Sequence, residues 1–512
     1  MAAASSPPIV LVGARLVSSR GTTLEPVALR LCDGVFTHLG EAALAAGGER
    51  RDVAGAFALP GLIDAHVHLP ALGACRRELD LSAMRSEDES AARVAVAVAT
   101  LRPGEWLRGF GWDHTAWPDA RYPSRRSLDK ASPAHPVALT RVDGHALWVN
   151  GRALAEADLS AASPEVAGGA IRRDGANAPS GVLVDNAMQA VLDRVPRPAA
   201  ATLRADLVYA LRRLRDVGLC GVHEMGTTPE LLTALGDLAR ADELPLRVSC
   251  YLYGTAEELD PCLREPRRST GLVRVVGVKL LLDGALGSHG AALERPYDDR
   301  PTERGLLLFE PQELEARVRH VVDQGFGLAL HAIGDRACRL ALDAIAAVKA
   351  VAPTLRHRIE HAQLIAPADV ERCRALGVAV SMQPLHAILD APFVPTRLGV
   401  GRAAAAYDWR LFAAAGVTLA LGSDAPVAGE DPWRGIEAAV NGRAAHALDL
   451  GQAIDGYTGA PARAIGDEHA GALAPGQHAD LTLVDRDPWA IPSVELAAVR
   501  TVVTAVAGRL DR

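Results

Sequence analysis

Short apolar runs recur along the chain, each closed by a polar or turn-forming residue and followed by a longer stretch with helical spacing. Eight of them read as buried strands, near residues 59–65, 219–223, 246–253, 273–281, 326–331, 357–361, 378–383 and 417–423. Apolar runs bounded in this way suit strands covered on both faces. Strands alternating with helical segments predict βαβ units and a parallel sheet. Eight such units predict an α/β fold, a (β/α)8 TIM barrel, whose chemistry sits at the C-terminal strand ends.

The pattern changes at both ends and in one long interval. Ile9-Val10-Leu11-Val12 and Val27-Ala28-Leu29-Arg30-Leu31 are strand-like, and so are Asp480 to Asp485 and Val499 to Val506. The interval from about 70 to 200 is too long for one crossover helix. It carries Pro, Gly and Asp turns together with Trp106, Trp112, Trp117, Tyr122 and Trp148. It predicts a subdomain over the barrel mouth that shapes a pocket. The expected organisation is therefore 1–56, a barrel segment 57–465 containing the insertion, and 466–512.

Lysine is scarce, and that makes one position informative. Lys130, Lys279 and Lys349 stand against fifty-one arginines. Lys279 lies in Val275-Val276-Gly277-Val278-Lys279-Leu280-Leu281-Leu282, where burying an ammonium is costly. Unlike arginine, lysine loses its proton and reacts at nitrogen. Its carbamate with CO2 is an anionic oxygen ligand for metals.

Other metal-competent groups end apolar runs in the same way. Leu62-Ile63-Asp64-Ala65-His66-Val67-His68 closes with His-x-His, and side chains two apart on a strand share a face. His331, His361 and Asp424 end three further runs. Imidazole and carboxylate suit zinc and similar divalent ions. Taken singly, each has a plainer reading: a satisfied core histidine, or Asp424 as a helix cap. Five strand ends with metal-competent groups, every one at the catalytic face of the predicted barrel, favour the metal reading.

This order of groups resembles the amidohydrolase superfamily. Val278-Lys279-Leu280-Leu281-Leu282-Asp283-Gly284-Ala285-Leu286-Gly287-Ser288, Asp143-Gly144-His145-Ala146-Leu147-Trp148-Val149-Asn150 and His331-Ala332-Ile333-Gly334-Asp335-Arg336-Ala337 resemble its amidohydrolase-3 (YtcJ-like, N-substituted formamide deformylase-like) branch. The resemblance implies that the two chain ends pair into one small β-sandwich. It implies hydrolysis of a non-peptide, amide-type C–N bond of a small molecule. His66, His68 and Asp424 would hold one ion, with His331 and His361 holding a second across carbamylated Lys279. The number of ions, one or two, stays open. Asp424 would take the proton from water and pass it to the leaving nitrogen. His145, His223 and Asp283 are expected to line the substrate pocket. His223-Glu224 could equally be a buried pair, and His386 is read as an ordinary surface or core residue.

Composition narrows the alternatives. The net charge is −8, from 54 basic and 62 acidic residues, which argues against nucleic acid or an anionic membrane as partner. No P-loop or dinucleotide glycine pattern occurs. Seven scattered cysteines without Cys-x-x-Cys, and no leader-like or transmembrane-length run, favour free thiols and a cytoplasmic location. A homodimer is one expected assembly. Three other functions compete. An ester or lactone hydrolase would use the same centre. A mononuclear deaminase would need Glu where Ile333-Gly334 follow His331-Ala332, and gives Lys279 no role. A non-catalytic scaffold would be expected to have lost ligands.

Overall fold

The computed structural model describes residues 7–23, 25–253, 259–260, 263, 269–443 and 445–511. Eight parallel strands form the predicted barrel: β1 (Leu62–Val67), β2 (Leu219–Thr227), β3 (Arg247–Leu252), β4 (Val273–Leu281), β5 (Gly327–Ala332), β6 (His357–His361), β7 (Ala379–Met382) and β8 (Leu419–Leu421). They pair in sequence order. The seam between β8 and β1 is closed just beyond both strands, where the Asp424 amide donates to the His66 carbonyl at 2.7 Å and the His68 amide to the Ala425 carbonyl at 3.0 Å. Val278, Leu280, Leu330 and Ile359 pack outward on the surrounding helices in one continuous core. Among the described residues, no helix is long and apolar enough to cross a membrane.

The chain ends pair as expected. Strand Ile9–Ser18 bulges between Leu11 and Ala14 and serves two ladders. One contains Val27–Cys32, Val35–Leu39 and Glu49–Asp52; the other runs through Phe57–Pro60, Leu481–Val484 and Thr501–Val506. Leu11, Leu29, Phe36, Leu481 and Leu483 are buried between them, giving the β-sandwich its own core. Phe57–Pro60, expected inside the barrel segment, instead bonds to Leu481–Val484, so the first barrel strand begins at Leu62 rather than near 59. Gly61 allows that change of sheet: a Cβ there would lie 2.7 Å from the Cys220 Cβ.

The insertion has its own six-stranded sheet, ordered Gly169–Arg173, Pro179–Asp185, Ala146–Val149, Val137–Arg141, Leu107–Trp112 and Leu79–Asp80. Trp112 and Trp148 are wholly buried in its core, with Trp117 beside them. Its aromatic residues thus stabilise the insertion, while its polar residues reach the barrel mouth. Cys220, Cys250, Cys338 and Cys373 are buried thiols, and Cys32 and Cys75 are half-buried; Cys262 lies outside the described residues.

Candidate metal centre

The parallel strands deliver the predicted ligands to one place. His66 and His361 approach with ring centroids 4.8 Å apart, His361 and His331 with 4.6 Å, and His66 and His68 with 5.4 Å. Asp424 Oδ1 lies 3.5 Å from His66 Nε2 and 3.2 Å from His68 Nε2. Lys279 Nζ stands 3.3 Å from His66 Nε2. Donor atoms of His66, His361 and Asp424 all fall within 4.8 Å of one another. His361 (φ 71°) and Asp424 (φ 59°) adopt left-handed backbone conformations that non-glycine residues seldom take. Such strain is held at sites where side-chain direction matters.

A layer beneath the centre fixes the ring orientations. Glu360 Oε2 lies 2.7 Å from His66 Nδ1, and Gln383 Oε1 lies 2.8 Å from His361 Nδ1. Each Nδ1–H is therefore the donor, and each Nε2 is left as a lone pair facing the cluster. Burial holds the imidazoles of His66, His331 and His361 well below the usual range, so all three are neutral at working pH. Burial also pulls Lys279 down to about 8, against the opposing pull of Glu360 and Asp424. Asp424 stays below the ordinary carboxylate range although burial alone would raise it. Asp64 holds the seam below them, accepting from the amides of His66 and Ser423, each at 3.0 Å.

Two buried atoms of the cluster, Asp424 Oδ1 and His331 Nε2, have no hydrogen-bond partner. Orphaned polar atoms are rare in folded interiors unless an ion or ligand completes them. Neutral imidazoles, a carboxylate and a weakened lysine together make a donor set that fits a divalent cation.

The three residues expected on the substrate side separate. His145 faces the cavity: its Nδ1 lies 2.8 Å from Asp185 Oδ1, and its ring centroid is 4.9 Å from that of His331. Burial opposes its protonation, yet the Asp185 carboxylate wins and raises it. His223 is placed elsewhere. Strand β2 runs on to Thr227, so His223 is mid-strand, 1% exposed, with Nδ1 2.9 Å from Arg358 inside the barrel. Asp283 is wholly buried and accepts from the amides of Ala292 (2.8 Å), Ile333 (3.0 Å) and Gly334 (2.9 Å). It anchors two loops beside His331 and does not reach the cavity. Burial raises its carboxyl to about 7 despite those donors.

Over the centre lies a cavity of about 650 Å3, lined by His145, His331, His361 and Asp424 with Phe110, Leu286 and Phe393. The glycine-punctuated loop after Lys279 packs tightly under the insertion. A Cβ at Gly287 would lie 2.6 Å from the Arg141 guanidinium, and one at Gly284 would lie 2.3 Å from the Asp185 carboxylate. Arg141, 2% exposed, is held between Asp113 and Asp143 and has no charge left for a substrate carboxylate. His386, read from the sequence as unremarkable, also lines the cavity, with Nε2 3.8 Å from Asp424 Oδ2. It stands just after the seventh strand, in helix Pro384–Asp390.

Residues 49–510 match the family model described as the amidohydrolase family. The chain is 32% identical over 474 residues to the YtcJ amidohydrolase of Bacillus subtilis, covering 89% of each protein. It is 27% identical to the N-substituted formamide deformylase of Arthrobacter pascens, over 90% of this chain and 89% of that one. Among solved structures, a metal-dependent hydrolase of Pyrococcus horikoshii superposes with a TM-score of 0.77 at 26% identity, covering 95% of this chain and 99% of that one.

Proposed function

The chain belongs to the amidohydrolase family and is a hydrolase, and from that premise we propose that it cleaves a non-peptide, amide-type C–N bond of a small molecule. One observation carries the reading: five strand ends place His66, His68, Lys279, His331, His361 and Asp424 around one point, beneath a substrate-sized cavity. The likeness to a formamide deformylase supports the choice of bond.

A divalent cation held in this cluster, zinc by the donor chemistry, would supply Lewis-acid polarisation of a carbonyl and a lowered pKa for water. His66, His68 and Asp424 would hold one ion and His331 and His361 a second. Lys279, carbamylated by CO2, would bridge them. Neutral Lys279 is the form that attacks CO2, and a pKa of about 8 gives it that form in an appreciable fraction near neutrality. Asp424 Oδ1, which accepts no hydrogen bond from the protein, is the group that takes a proton from water. His145, braced by Asp185 and shifted toward its protonated form, is placed to donate to the developing oxyanion. The insertion encloses the site and limits competing water. Lys279, standing 3.3 Å from His66 Nε2, favours this arrangement over a mononuclear deaminase, which gives it nothing to do.

The test is metal analysis of protein purified without chelator, with turnover on matched formamide, acetamide, ester and lactone panels. About two ions per chain and amide turnover support the proposal. Turnover confined to esters or lactones moves the reaction to the C–O bond, and a metal-free, inactive protein overturns it.

A further inference from the structure

Three arginines line the cavity, and they differ in where their charge goes. Arg76 and Arg213 stand at its rim, with side chains 39% and 45% exposed, paired with Asp206 and Glu430. Water and salt screen charges so placed. Arg141 is the deep one. Its side chain is 1% exposed and ends strand Val137–Arg141 of the insertion, just ahead of His145, whose ring centroid is 4.9 Å from that of His331.

A guanidinium in that place has the geometry to take a substrate carboxylate in two parallel hydrogen bonds. Here the fork is already full. Nε donates to His114 Nδ1 at 3.4 Å and Nη1 to Asp143 Oδ2 at 2.5 Å, while Nη2 donates to Asp113 Oδ1 and, at 3.5 Å, to the Thr115 hydroxyl. Both acids are themselves fixed: Asp113 Oδ1 accepts from the Thr115 amide at 3.0 Å, and Asp143 Oδ1 from the His145 amide at 3.1 Å. The loop after Lys279 covers the guanidinium so closely that a Cβ at Gly287 would lie 2.6 Å from Nη1. The fork therefore has no room to swing toward a ligand. One cation between two carboxylates leaves this part of the wall with a net negative charge. Asp80 and Asp390 line the same cavity, held by the Ser82 amide at 2.8 Å and the Tyr407 hydroxyl at 2.5 Å, and among the described residues neither is paired with an arginine or lysine.

We infer that Asp113 and Asp143 determine specificity: by filling the Arg141 fork they exclude amides that carry a carboxylate beside the scissile bond. The substrate class is then the amide of an uncharged or cationic amine, and not an N-acyl amino acid or a peptide. The inference rests on the C–N hydrolysis proposed above. Its physical basis is a clash without a compensating donor. A carboxylate entering the cavity gives up its water, finds no free N–H on Arg141 and meets like charge on Asp113 and Asp143. An uncharged group loses less on entry, and an ammonium is drawn to the same wall. Selectivity of this kind comes from what the site repels as much as from what it holds.

The test is kcat/KM of the full-length protein, with its metal as purified, on three matched sets: N-formyl amino acids, their primary amides, and N-formyl diamines of the same length. The carboxylates should be poorer than the primary amides by about 100-fold or more, and the diamines no poorer. Asp113→Asn keeps the side-chain shape and removes one negative charge; Asp113→Asn/Asp143→Asn removes both. The ratio of carboxylate to amide turnover should rise about 10-fold in the first and further in the second. Carboxylates that match or exceed the amides in the unaltered protein overturn the inference, and so does a ratio that Asp113→Asn leaves unmoved. Should the double variant fail to fold, the unaltered protein and the single variant still decide. If no formamide is cleaved, the proposed function fails. Calorimetric binding of the same compounds then tests the exclusion by itself: weaker binding of the carboxylates, relieved in Asp113→Asn, supports it, and equal or tighter binding overturns it.

Discussion

The Asp424 amide donates to the His66 carbonyl at 2.7 Å, and the Asp424 carboxylate stands 3.5 Å from the His66 ring. The first and last strands of the barrel are thus joined by the same two residues that begin and end the ligand set. Strand closure and the direction of both side chains are therefore set at the same two residues.

Replacing Lys279 by Ala removes the only lysine at the centre. Metal content should fall from about two ions per chain, measured by elemental analysis, with activity falling in parallel. Added acetate or propionate, supplying a carboxylate in place of the proposed carbamate, should restore part of both. Unchanged metal content in the variant would sink the bridging role.

The lysine also sets a pH dependence. Carbamylation needs the neutral amine, and Lys279 titrates at about 8 in the folded chain. Metal uptake by chelator-stripped protein in bicarbonate should therefore rise with pH between about 7 and 9 and level off above. His66, His331 and His361, already neutral, add no slope there. The sign for stability agrees: between about 8 and the ordinary lysine value near 10.4, the unfolded chain binds more protons than the folded one, so apo-protein stability gains with pH from this group. A stopped-flow series at fixed bicarbonate checks the first statement.

Glu360 receives His66 Nδ1–H and the Arg358 guanidinium at once. Glu360→Gln keeps the shape but weakens the hold on the ring and leaves Arg358 short of a countercharge. Metal affinity should drop by about 10- to 100-fold, read by competition with a chromogenic chelator.

Arg141 is a stability prediction. It is buried between Asp113 and Asp143, and Arg141→Met leaves two carboxylates facing each other without a cation. Breaking such a pair costs about 3–5 kcal/mol. Denaturant unfolding should show that loss, and reverting both acids to Asn in the same chain should recover much of it.

The barrel and the five strand ends that carry the candidate ligands were legible because parallel strands are apolar throughout and each run stops at a polar residue. His223 misled for the same reason: the run seemed to stop there, but β2 continues to Thr227 and turns the residue into the barrel. Asp283 sat in a stretch rich in functional residues, yet its three amide donors come from residues 292, 333 and 334, which spacing along the chain does not reveal. His386 escaped because a helix, Pro384–Asp390, and not a strand presents it. The pairing of His145 with Asp185 needed the insertion's fold, since forty residues separate them.

The seam has a consequence for how the enzyme is made. Residues 66 and 424 must both be in place before the ligands meet, and the sandwich that braces β1 waits for the strands at 481–506. Contacts of such long sequence separation form late. On the ribosome, the nascent chain carries its histidines long before they can meet, so any ion held by this cluster would enter after synthesis.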